Sequence, residues 1–108
     1  MVVGVRTLVG FATMTLRRER GDTIVSDDEG WSVRVLGRTG LEYRVGDRTM
    51  RIDSEILAAP HGAAIYTSSM RESRTPHEDE RLTETDRRRI VEHVRRAFAA
   101  WGYEIDVY

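Results

Sequence analysis

Apolar and polar residues alternate along much of the chain from Leu16 to Met50, and this period of two predicts short, half-buried strands bounded by glycine and aspartate. Trp31, Val33 and Val35 fall on one face, with Ser32, Arg34 and Leu36 on the other. At Gly46-Asp47 a Gly-X pair suits a two-residue type II′ turn. That turn sets Val45 opposite Arg48, Tyr43 opposite Met50 and Leu41 opposite Ile52, so the apolar residues of both strands share a face. The connection Gly37-Arg38-Thr39 must act as a three-residue loop to keep Val35 on the same face as Leu41. Ala63-Ala64-Ile65-Tyr66 reads as a further strand after a Pro60-His61-Gly62 turn.

Past Thr83 the period changes. Ile90, Val94, Ala97, Phe98 and Trp101 recur at helical spacing, which predicts one amphipathic helix with its stripe toward the core. Thr83 can cap its free amides, Asp86 stands where a capping box places an acceptor, and Gly102 ends it. Tyr103, Ile105 and Val107 then alternate with Glu104 and Asp106, a final strand expected beside an earlier one. The expected fold is α+β: an antiparallel β-meander sheet packed by one C-terminal amphipathic helix, followed by a short final strand.

At 108 residues the chain has room for one core. Residues 14–108 are expected to form a single α+β domain, with Met14 near the natural start and residues 1–13 an N-terminal extension or an added edge strand. The apolar run Leu8-Val9-Gly10-Phe11-Ala12 precedes Arg17, Arg18 and Arg20, the reverse of a signal peptide's order. Arg6, Thr7, Thr13 and Thr15 leave no apolar stretch long enough to span a membrane. A cytoplasmic location is expected. Between the strands and the helix, residues 68–82 are polar, and Pro76 bars regular structure near it, so the longest loop is expected here.

Charge and chemistry narrow the picture further. The net charge of -1 sets up no global field toward nucleic acid or an anionic membrane. All 17 basic residues are arginine, a residue suited to bidentate pairing with carboxylates. There is no cysteine, which removes disulfides, thiolate nucleophiles and cysteine-based zinc sites. His61, His77 and His93 match no metal spacing, since Arg89 and Ala97 stand one helical turn from His93, and all three are expected at the surface. Ser68, Ser69 and Ser73 lack a nucleophile elbow, and no glycine-rich loop opens the helix to hold a phosphate. No catalytic residue, metal or cofactor is expected. Glu84, Arg88, Glu92 and Arg96 are successive i,i+4 neighbours, so part of the arginine charge of the helix is already paired.

Several segments together resemble the bacterial immunity protein 74 family: Gly40–Glu55, Ile65-Tyr66-Thr67-Ser68-Ser69, Pro76-His77-Glu78-Asp79-Glu80, and Arg89–Phe98 with Gly102. The likeness covers roughly residues 31–108 and extends to the order of elements. It implies a cytoplasmic antitoxin that binds a cognate toxin domain, with no catalytic residues to transfer. Such a protein needs a surface complementary to its toxin, and many such toxins are nucleases with basic clefts. Two acidic clusters are the candidate toxin-binding residues: Asp27, Asp28 and Glu29, and Glu78, Asp79 and Glu80. The competing reading is a small nucleic-acid-binding or regulatory module that stacks bases on Trp31 and Tyr43 beside Arg34 and uses the arginine-rich helix.

Overall fold

The computed structural model describes residues 15–57, 61–72 and 82–108. Eight strands and one helix follow in chain order: β1 (Arg17–Glu19), β2 (Thr23–Ser26), β3 (Trp31–Val35), β4 (Gly40–Val45), β5 (Arg48–Ile56), β6 (His61–Ile65), β7 (Arg71–Glu72), α1 (Glu84–Trp101) and β8 (Glu104–Val107). A short 3-10 turn, Thr67–Ser69, lies between β6 and β7. Spatial order follows chain order from β1 to β6, with β8 beside β6 and β7 paired to the first half of β5. The result is a curled meander packed by one helix and closed by a final strand, the expected α+β class.

The hairpin register is the one the turn dictates. Val45 pairs Arg48, Tyr43 pairs Met50 and Leu41 pairs Ile52. Gly46 takes φ +60° while Asp47 stays at negative φ, as a type II′ turn requires. Val35 pairs Leu41, and the Leu36 amide donates to the Gly40 carbonyl at 2.9 Å, leaving residues 37–39 as the three-residue loop. Of the inward positions that follow from this register, Trp31, Val33, Leu41, Tyr43, Met50 and Ile52 are buried, and Val35 and Val45 at the strand ends are partly buried. Each such side chain contributes roughly 1.5 to 3 kcal/mol through burial.

Two features differ from the expected pattern. Strand β6 begins at His61, so His61 and Gly62 belong to the sheet, with a register irregularity between His61 and Ala63. Strand β8 runs parallel to β6, with Ala63 opposite Ile105 and Ile65 opposite Val107. A parallel pair needs a crossover of a dozen residues or more, and the segment holding α1 supplies it. Alternation along Tyr103–Val107 reveals which side chains face inward but carries no information on strand direction.

Helix α1 opens with a full capping box. The Thr83 hydroxyl accepts from the Asp86 amide and the Asp86 carboxylate accepts from the Thr83 amide, both at 3.0 Å. These bonds hold the Asp86 carboxyl below its ordinary range, the backbone bond from Thr83 being the largest cause. At the other end Gly102, at φ +93°, donates to Ala99 O, and Tyr103 N donates to Phe98 O, each at 2.9 Å. This is a Schellman motif, which sends the chain back along the sheet into β8. Ile90, Val94, Ala97 and Phe98 are buried against the concave face.

Residues 1–13, the Pro60 end of the predicted turn, Ser73, Pro76, His77 and the acidic triplet Glu78, Asp79 and Glu80 lie outside the described residues, as does the His61 side chain. Within the expected long loop the structure adds the 3-10 turn and β7, whose Glu72 pairs with Arg48.

Candidate functional site

Four residues, Asp27 to Gly30, connect β2 and β3, and Gly30 at φ +75° closes the turn. Its base is tied down by Ser26, which is fully buried. The Ser26 carbonyl accepts from Gly30 N at 2.8 Å, and its hydroxyl accepts from Glu29 N at 3.2 Å. The structure thus brings Asp27, Asp28 and Glu29 together, yet it gives them different tasks. Asp27 accepts two bonds from the Arg17 guanidinium, at 2.9 and 3.1 Å, which hold its carboxyl below the usual range. Asp28 points outward and accepts only a long bond from Thr15 N at 3.4 Å among the described residues.

Glu29 turns inward. Its Oε1 accepts from Trp31 Nε1 at 2.9 Å, lies 3.4 Å from His93 Nε2 and 3.8 Å from the Arg96 guanidinium. His93 was expected at the surface and is not there: only 8% of it is exposed. Its ring stacks on Trp31 at 4.5 Å and 9°, and its Nδ1 sits 2.6 Å from the Tyr43 hydroxyl. The reason is positional, because Ile90, His93, Val94 and Ala97 follow the i, i+3, i+4, i+7 spacing of a core stripe. That spacing was the available signal.

The surroundings of the ring favour one tautomer. A carboxylate oxygen 3.4 Å from Nε2 calls for a proton on that nitrogen, which leaves Nδ1 to accept from the Tyr43 O–H. Burial raises the Tyr43 pKa, so the phenol stays a neutral donor. Burial also lowers the His93 pKa, with Glu29 pulling the other way and Arg96 and Arg89 assisting the fall. Tyr43, His93 and the Glu29 carboxylate therefore form one chain that joins β4, α1 and the acidic turn.

This arrangement removes the stacking platform that a nucleic-acid module would use. Trp31 and Tyr43 are 2% and 1% exposed, under α1. Arg87 donates to Thr67 O at 2.7 Å, Arg88 pairs Glu84 at 3.5 Å, Arg89 lies 3.6 Å from Asp86, and Arg96 pairs Glu92 at 3.4 Å. These are the i,i+4 ladder pairs and their neighbours, so four of the five helix arginines have protein acceptors nearby.

Sequence reasoning missed a second acidic surface, on the face of the sheet opposite α1. Glu55, Ala64 and Asp106 form one cross-strand row over β5, β6 and β8, with Asp53 and Glu104 two residues away along their strands. Tyr66 donates to Glu55 at 2.7 Å and stacks on Tyr108 at 5.7 Å. The signal was there in the pairs Asp53/Glu55 and Glu104/Asp106 at strand spacing.

An open groove of about 310 Å³ lies at the end of the sheet, lined by Val35, Ile56, Leu57, Phe98, Trp101 and Tyr103 with two glycines. It holds no carboxylate, histidine or arginine among the described residues, and His93 lies elsewhere. Among the described residues no group of three or more His, Asp or Glu is placed to hold a metal ion, and no helix is long and apolar enough to cross a membrane.

Comparison with known proteins adds the decisive fact. No curated protein and no solved structure matches the chain. The family model of Immunity protein 74 matches residues 33–108, a span that takes in most of β3, every later strand, the Tyr43 and His93 positions and the whole of α1. Because that span is well over half of its length, this chain belongs to the immunity protein 74 family.

Proposed function

We propose that this protein neutralises a cognate toxin domain in the bacterial cytoplasm by binding it directly, without catalysis. The observation that carries the reading is the family match over residues 33–108. An immunity protein of this kind needs a rigid surface complementary to its toxin, and charge on that surface raises association rate and specificity more than affinity. The β2–β3 turn suits the task. Asp28 stands outward, Asp27 beside it is held by Arg17, and Glu29 anchors the turn to α1. Glu78, Asp79 and Glu80 are the second proposed contact.

Co-expression tests the function: the toxin domain encoded beside this gene should arrest growth alone and fail to do so with this protein present. Equal killing with and without it refutes the reading. Reversing Asp27 and Asp28, or Glu78, Asp79 and Glu80, should weaken protection while the circular dichroism spectrum stays unchanged. Full protection by a well-folded variant removes that cluster from the interface.

A further inference from the structure

We propose that His93 is an acid-operated latch: on gaining a proton its imidazole gives up Tyr43 and leaves its place on Trp31, and the β2–β3 turn separates from α1. The proposal stands apart from toxin binding, and its test uses no partner.

The geometry carries it. In the neutral state His93 Nδ1 accepts from Tyr43 O–H at 2.6 Å, and Nε2–H faces Glu29 Oε1 at 3.4 Å. A second ring proton on Nδ1 would meet the phenolic proton head on. Tyr43 could then only accept, and its own hydrogen would be stranded in the core, where the residue is almost wholly buried. The charged groups facing the imidazole divide. Glu29 in the turn and Glu92 on α1 favour the cation, and Arg96 and Arg89 on α1 oppose it. Stacking on Trp31 adds some cation–π attraction, but the ring must give up water to enjoy it. Desolvation is the largest influence and disfavours the cation. Outside the sandwich the imidazolium is free of that penalty, so acid favours the opened state.

Opening acts on the turn specifically, because Glu29 Oε1 loses His93 while it still accepts from Trp31 Nε1. Glu29 is then left with Trp31 and with Arg96 at 3.8 Å, and the rest of the turn with Arg17, Thr15 and Ser26, none of which lies on the helix.

Hydrogen exchange and 15N NMR on the full chain between pH 8 and pH 5 provide the test. His93 should titrate below its ordinary value of about 6.5. Below pH 6.5, opening of the Glu29 and Gly30 amides should rise by up to about tenfold per pH unit after correction for intrinsic exchange. The β4–β5 hairpin should show no such rise. His93→Gln should abolish the pH dependence. Glu29→Gln keeps an acceptor for Trp31 but removes the charge, so it should move both the His93 titration and the opening to lower pH. Equal pH responses in wild type and His93→Gln overturn the latch. So does titration of His93 at or above 6.5, or titration with no change in turn protection. If His93→Gln fails to fold, Glu29→Gln decides: opening that stays at the wild-type pH while the His93 titration moves refutes the coupling.

Discussion

Tyr43→Phe is the sharpest probe of the buried chain, since it deletes one oxygen and leaves the ring that packs beside Trp31. At pH 8 the imidazole is neutral, and Nδ1 loses its donor inside the core. A buried acceptor left unpaired costs about 1 to 3 kcal/mol. In a domain of this size that corresponds to a fall in melting temperature of about 4 to 8 °C per kcal/mol. The pH dependence follows from linkage. His93 has a folded pKa below its unfolded value, so the unfolded chain binds the proton more readily, and wild-type stability is full above about pH 6.5 and lost as pH falls from there toward the folded pKa. Removing the Tyr43 donor takes away support for the neutral ring and raises the folded pKa toward 6.5. The variant's deficit should accordingly be largest at pH 8 and shrink by pH 5. Urea unfolding at the two pH values, followed by Trp fluorescence and circular dichroism, measures both numbers. A deficit of the same size at both pH values, or none at pH 8, would refute the argument that Tyr43 donates to a neutral His93.

Other substitutions test the frame around that site. Gly62→Ala places a Cβ 2.6 Å from Tyr103 Cβ, 2.9 Å from Phe98 Cδ2 and 3.1 Å from the Glu104 carbonyl, and overpacking of this kind costs about 1 to 3 kcal/mol, readable as a lower urea midpoint with unchanged slope. Thr83→Ala removes the hydroxyl half of the capping box and should cost about 1 kcal/mol by thermal unfolding, whereas Thr83→Ser should cost much less. Gly102→Ala must hold a side chain at φ +93° and should lose about 1 kcal/mol or more even though nothing lies within 4 Å of the new Cβ. Equal stability of Gly102→Ala and wild type would contradict the Schellman ending of α1.

The strand and helix assignments were legible because each rested on two agreeing local signals. The β4–β5 register came from a Gly-Asp turn and from apolar alternation, and the helix from a cap, a stripe and a terminator. Strand direction at β8 was not legible, because alternation reports the face and not the partner, and the partner is set by the crossover. At the site, Asp27, Asp28 and Glu29 could be found as a cluster, but the sequence presents them as three equivalent acids. Glu29 differs from its neighbours only because Trp31 and His93, far apart in sequence, meet in front of it. The inward direction of His93 is readable from its place beside Val94 in the stripe.

The family match begins at Val33, after the acidic turn and after Trp31, while His93 and Tyr43 lie within it. Family membership therefore speaks for the scaffold of β4 to β8 and α1 and is silent on β1, β2 and the turn. Those elements nevertheless continue the same sheet, with Ile24 opposite Val33 and Ser26 opposite Trp31. They meet the scaffold through Trp31 stacked on His93 and Glu29 set against Nε2. Specificity between partners is a difference of affinities and is most economically altered where the scaffold itself need not change. The charged turn, if it is the toxin contact proposed above, meets that condition, since it lies before the matched span and meets the helix through Glu29. The matched span carries the helix and the strands it packs on, and the proposed charged contact at Asp27 and Asp28 precedes it on the same sheet.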